Sequence, residues 1–328
     1  MISTPTRIGS LELKNRLVMA PVAVYKADEA GRVTPDACDH YLQRAQTGNL
    51  GVIITEHCFV APEGQAKPRQ ISISRDSDIS GLAGLAAACH ANGTAAFCQL
   101  SHAGGAARRS VMGLEPMAPS PMVSSQAWTA KEGDGLPLEL DEAGIHRIVE
   151  AFAAAARRAQ LAGFDGVELH SAHAYLLDEF YSPLHNKRTD AYGGSLENRL
   201  RIHREVLAAV RAAVGPDFIV GMRLGGCDYE DGGATIDDAV AAARVLEADG
   251  LDYLSLSGGW HAWRRPGHNE PGWFSDQALA VREAVGIPIM TAGGVKTAAE
   301  ADALLEAGIC DLVAVGRPLL KNPSWPGE

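Results

Sequence analysis

The run His170-Ser171-Ala172-His173-Ala174-Tyr175 puts two imidazoles and a phenol into one short stretch. Neighbouring imidazoles can donate hydrogen bonds to a carbonyl oxygen, and a phenol can hand a proton to a carbanion that develops beside it. His-x-x-His is also a metal-ligand spacing, but the stretch itself holds no Glu or third ligand, so no metal is expected. Packing histidines are the bland alternative. Farther on, Ala292-Gly293-Gly294-Val295 and Val315-Gly316-Arg317-Pro318 are glycine turns. Such turns let backbone N–H groups approach an anion, with Arg317 as a charge partner, unless they are simple tight turns. A third group, Ser257-Gly258-Gly259-Trp260-His261 followed by Trp263, Trp273 and Phe274, suits an apolar substrate wall or a quaternary-ammonium cage, or rim packing.

These groups gain meaning from the elements that carry them. A helical stretch ending in Gly, then a short β-branched run, recurs along most of the chain. The candidate strands are 17–20, 52–55, 95–100, 166–170, 218–223, 253–257, 289–292 and 312–315. Between them, Ile145, Ile148, Val149, Phe152 and Ala156 follow helical spacing, as do Ala239, Ala242, Ala243 and Leu246. Thr34-Pro35 and Thr297 read as helix starts. Alternating β and α elements imply a parallel sheet, and eight units suit closure into a single-domain α/β fold, the (β/α)8 TIM barrel, over 1–328. A doubly wound sheet is the rival, but no GxGxxG follows the first strand. Chemistry in a barrel sits on the loops that follow the strands. Two of these are long, 101–140 and 171–198, and are expected to lie over the C-terminal rim as lids or binding walls.

Composition narrows the class. Apolar residues make up 46% of the chain, enough for a large core, and a net charge of −11 without Lys/Arg clusters argues against nucleic acid. The six cysteines are scattered with no CxxC pair, which signals neither a zinc ribbon nor an iron–sulfur site. The first residues lack signal-peptide order and no run approaches the ~20 apolar residues of a membrane span. A cytoplasmic protein with no membrane or nucleic-acid partner is therefore expected, with homo-oligomerisation left open.

The stretch 181–199, YSPLHNKRTDAYGGSLENR, resembles the signature of the old yellow enzyme family of NADH:flavin oxidoreductases. Asn15-Arg16-Leu17-Val18-Met19-Ala20-Pro21, Gln99-Leu100-Ser101-His102-Ala103-Gly104 and Gly316-Arg317 resemble further family motifs in the right order. The resemblance implies FMN as cofactor, NADH or NADPH as reductant, and a small unsaturated carbonyl or thioester compound as substrate, reduced at its activated C=C bond. Position by position it implies that Ala20, Pro21, Val22 and Ala23 run along the flavin, Gln99 bonds its pyrimidine edge, and Arg223 stabilises negative charge on the reduced ring. Gly294, Gly316 and Arg317 would hold the phosphate. His170 and His173 match the pair that grips a substrate carbonyl, Tyr175 the proton donor, and Tyr25 a substrate-facing Tyr. The loop with His261 resembles that of 2,4-dienoyl-CoA reductases, whose matching His assists proton transfer.

Some positions depart from the family pattern. Ala23 stands where one branch has Cys and another Thr, His57 where a small residue is usual, Gly105 where Arg is common, and Leu224-Gly225 replaces Ile-Ser. Two rival functions are a flavin-dependent amine dehydrogenase or demethylase, whose relatives carry Tyr where His170 stands, and a flavin-binding protein without turnover.

Overall fold

In the computed structural model, which describes residues 1–125 and 135–327, eight parallel strands close on themselves. They are β1 (Leu17–Met19), β2 (Val52–Ile54), β3 (Ala95–Ser101), β4 (Gly166–Ser171), β5 (Ile219–Cys227), β6 (Tyr253–Gly258), β7 (Ile289–Ala292) and β8 (Leu312–Val315). Each pairs with the next, and β8 pairs back onto β1, with Val313 opposite Leu17. The helices that follow the strands are α1 (Pro35–Ala45), α2 (Ile79–Cys89), α3 (Glu142–Leu161), α4 (Arg201–Val214), α5 (Ile236–Ala248), α6 (Ser275–Arg282), α7 (Ala298–Glu306) and α8 (Arg317–Lys321). The fold is a (β/α)8 barrel, as the cadence of the sequence predicts.

Local chemistry sets the helix starts. Thr34 accepts from the Ala37 N–H, and Thr297 forms a reciprocal capping box with Glu300, so both expected caps are present. Helix α4 buries Ile202, Val206, Leu207, Val210 and Val214, one stripe at helical spacing. Two apolar layers result. Side chains such as Val18, Val52, Phe97, Tyr253, Met290 and Leu312 fill the barrel interior, and a larger cluster joins barrel to helices. An antiparallel hairpin, Thr6–Ile8 with Leu11–Leu13, places Ile8 and Leu13 against the strand starts Ile219 and Leu312, closing the end opposite the C-terminal rim.

Three features differ from the sequence expectation. Strand β5 runs past Arg223 to Cys227, with a register shift against β6 at Gly226 and Cys227. The expected loop 171–198 holds a fully buried helix, Leu176–Tyr181, and a short turn of helix, Leu196–Arg199. The expected loop 101–140 contains the helix Arg109–Met112 and a strand pair, Met117–Ala118 with Leu138–Glu139; residues 126–134 of it lie outside the described residues. Among the described residues no helix is long and apolar enough to cross a membrane.

Candidate active site

A cavity of about 460 Å³ opens where the strands end. Its wall is built from the exits of all eight strands, β3 contributing Ala106, so eight loops distant in sequence converge on it. Ala20, Pro21, Val22, Ala23, Tyr25, His57, His170, His173, Tyr175, Arg223, Gly294, Gly316 and Arg317 all line it, with Trp263, Trp273 and Phe274 as an aromatic side.

Strand register explains the polar floor. Arg223 of β5 lies opposite His170 of β4 and Ser255 of β6, and matched residues of parallel neighbours project to the same face. One layer below, Gln99 of β3 lies opposite Glu168 of β4. Glu168 is fully buried and accepts from Gln99 Nε2 at 2.8 Å and from the Tyr253 hydroxyl at 3.1 Å. Burial pushes its carboxyl up, and the nearby Arg223 charge works against that shift. Arg223 gives Nη2 to Ser257 Oγ at 3.2 Å, and Ser257 Oγ also meets His173 Nε2 at 2.8 Å.

The His170 and His173 rings stand 5.1 Å apart, edge to face, and Tyr175 lies 5.1 Å from His170. Burial, followed by neighbouring positive charge, holds both imidazoles well below their ordinary range, so each is a neutral donor at pH 7. Burial pushes the Tyr175 phenol well above its usual value, so it stays protonated. The backbone between them is unusual. His173 and Ala174 both have left-handed φ, 63° and 54°, and the Asp178 carboxylate accepts the Ala174 N–H at 2.6 Å. Tyr25 is set in the same manner. Its φ is 51°, and Glu56 Oε2 accepts the N–H groups of Val24 and Tyr25 at 3.0 and 3.1 Å. Burial raises Glu56 to about 7, with the Tyr25 and Val24 N–H groups opposing the shift.

Among the described residues the far end of the cavity has no carboxylate on its wall, and it has a glycine surface. A Cβ on Gly316 would meet Val22 Cγ2 at 2.7 Å, and one on Gly293, at φ 123°, would meet the Trp273 ring at 2.3 Å. Arg317 lies over the Trp273 ring, 5.4 Å from its centroid. Arg223 Nε, at the other end, is buried without a hydrogen-bond partner among the described residues. A cation with an unsatisfied donor facing one end, and a bare backbone cradle with an arginine at the other, fit a ring system carrying a terminal phosphate.

Two expected residues are placed elsewhere. His261 does not line the cavity; its Nε2 pairs with Glu230 at 2.9 Å on the rim. Gln99 also stands behind the wall, with Nε2 given to Glu168. Sequence reasoning missed Glu56, Glu168 and Asp178, and gave Ser257, at the head of the third group, no role of its own. Glu168 had a signal, since it precedes His170 by two in a strand and must share its face. Glu56 had none, because its partners are backbone groups brought to it by tertiary contacts; Asp178 bonds the N–H only four residues before it, at the start of its own helix. His57, marked only as a departure, lies 5.5 Å from Tyr175 and 6.1 Å from His170, ring to ring.

Residues 2–328 match the family model described as NADH:flavin oxidoreductase / NADH oxidase family. The chain is 37% identical to an NADH oxidase of Thermoanaerobacter brockii, over 98% of this chain but only about half, 49%, of that protein. It is also 37% identical to an NADPH dehydrogenase of Halalkalibacterium halodurans, covering 98% of this chain and 91% of the relative. Among solved structures, a 2-naphthoyl-CoA reductase in complex with 2-naphthoyl-CoA superposes with a TM-score of 0.91 at 28% identity, over 99% of this chain and 51% of that one. The old yellow enzyme homologue from Zymomonas mobilis gives 0.85 at 28% identity, over 99% and 91%. With this fold, this cavity and a family match along nearly its whole length, the chain belongs to the NADH:flavin oxidoreductase / NADH oxidase family, the old yellow enzymes, which use FMN with NADH or NADPH as reductant.

Proposed function

We propose that the chain forms one FMN-binding barrel over 1–328 that uses NADH or NADPH to reduce the activated C=C bond of an α,β-unsaturated carbonyl or thioester compound. The convergence of His170, His173, Tyr175 and Arg223 on one cavity carries this reading. FMN, when bound, supplies the hydride chemistry. Gly294, Gly316 and Arg317 would hold its phosphate, Ala20, Pro21, Val22 and Ala23 its flank, and Arg223 its charge-bearing edge, with Gln99 supporting that edge through Glu168. His170 and His173, as neutral donors, bind and polarise the substrate's carbonyl oxygen. Tyr175 holds the proton destined for the α carbon, since its phenol stays protonated where the imidazoles do not. Tyr25 and the aromatic side exclude water and orient the alkene.

The experiment is a pair of measurements on the purified protein. The flavin released on denaturation is expected to be FMN and not FAD, and NAD(P)H oxidation under anaerobic conditions is expected to need an added enone. Turnover with a methylated amine but not with any enone would favour an amine dehydrogenase; no turnover with either would favour a binding protein.

A further inference from the structure

The cavity holds a third imidazole that the mechanism above does not use. His57 follows β2 directly and is only 6% exposed, yet it lines the cavity wall. Its tautomer is set by Gln70. The Gln70 Oε1 accepts the Ala66 N–H at 2.8 Å, which orients the amide so that Nε2 donates to the His57 backbone carbonyl at 2.9 Å and to His57 Nδ1 at 2.7 Å. A neutral imidazole that accepts at Nδ1 carries its proton on Nε2. Burial lowers the His57 pKa to about 4, so the ring is neutral at pH 7. The His57 ring is flanked by Tyr25, Tyr175 and His170, at 6.4, 5.5 and 6.1 Å between ring centres, all on the same cavity. Among the described residues Nε2 has no hydrogen-bond partner. Gln70 is fully buried, so the donor is held rigidly.

We propose that His57 is a specificity-determining donor that binds a second oxygen of the substrate, so that the barrel prefers alkenes flanked by two carbonyl groups over those bearing one. His170 and His173 take the first carbonyl on one side of the alkene and His57 takes the second. This deepens the alkene-reductase reading and rests on it.

The test uses the FMN-loaded protein and a matched pair, dimethyl fumarate and methyl crotonate, which differ by the second ester. The ratio of their kcat/KM values in the wild type corrects for intrinsic reactivity when variants are compared. His57→Leu is expected to lower that ratio roughly tenfold, as for one lost hydrogen bond, and His57→Gln, which keeps a donor, to restore part of it. Dissociation constants of the unreactive analogues dimethyl succinate and methyl butyrate, read from the absorbance of the bound flavin, should shift in the same sense. An unchanged ratio in His57→Leu, or an equal fall for both esters, overturns the proposal, as does a changed flavin potential without a change in the ratio. If the wild type reduces neither ester, the alkene reading itself falls, and the analogue affinities still decide whether His57 binds a second oxygen.

Discussion

The Asp178 carboxylate accepts the backbone N–H of Ala174 at 2.6 Å and so closes the left-handed turn between His173 and Tyr175. Burial, with the neighbouring Asp228 charge adding to it, pushes the Asp178 carboxyl above its usual range, and the turn needs only an acceptor oxygen from it. Asp178→Asn should therefore preserve the turn and its activity. Asp178→Leu leaves a buried N–H unpaired, at a cost of about 1–3 kcal/mol, and should displace both catalytic candidates. Denaturation midpoints and alkene turnover of the two variants check this; equal loss in both would refute the acceptor role.

Tyr175→Phe is expected to slow alkene reduction by roughly 10²–10⁴-fold, the range for a lost general acid, while flavin reduction by NAD(P)H stays near normal. His261, turned to Glu230 on the rim, should matter less, and His261→Ala should change the alkene step by under about threefold. Stopped-flow measurement of the two half-reactions separates the candidates. A Tyr175→Phe enzyme reoxidised by the alkene at the wild-type rate would sink the assignment.

Gly316→Ala would bring a methyl group to within 2.7 Å of Val22 Cγ2 at the cradle. The side chains must then shift into the space proposed for the phosphate. We expect a folded protein, by circular dichroism, that retains less than about a tenth of the wild-type affinity for FMN. Undiminished FMN uptake would place the phosphate elsewhere.

Arg223→Ala should weaken FMN binding and slow flavin reduction, because it removes the positive charge beside the reduced ring. It also leaves Glu168 buried with no cation nearby, a separate penalty to stability. Adding Glu168→Gln should recover stability without recovering FMN content, which thermal unfolding and flavin quantitation can read independently.

Glu179 accepts the Gly105 N–H with both carboxylate oxygens, at 3.1 and 2.9 Å, and burial raises its pKa from 4.5 to about 8, with that N–H opposing the shift. Between those values the unfolded chain has released this proton and the fold has kept it. Stability from this group is thus complete below pH 4.5 and falls as pH rises toward 8, by up to ~1.4 kcal/mol per pH unit. Glu179→Gln keeps an acceptor and removes the titration, so its gain over wild type should be larger at pH 7.5 than at pH 5 in denaturant unfolding.

The sequence by itself determined the barrel, because its signals are local: glycine-terminated helices, β-branched runs and Thr caps act over a few residues, and eight repeats leave little choice of architecture. It also determined most of the cavity wall, since a residue just past a barrel strand must lie on the rim; His170, Tyr175, Gly316 and Arg317 follow from that rule. The tertiary structure alone decided which rim residues meet. Cross-strand register brought Arg223 beside His170 and set Gln99 behind the wall on Glu168, and register depends on closure of the whole sheet. The path of the loop after β6 turned His261 outward to Glu230. The carboxylate that holds the strained turn at Tyr25, Glu56, and the amide that fixes His57 act on backbone or side-chain atoms whose positions no sequence period encodes. Their partners exist only once the loops are folded against one another.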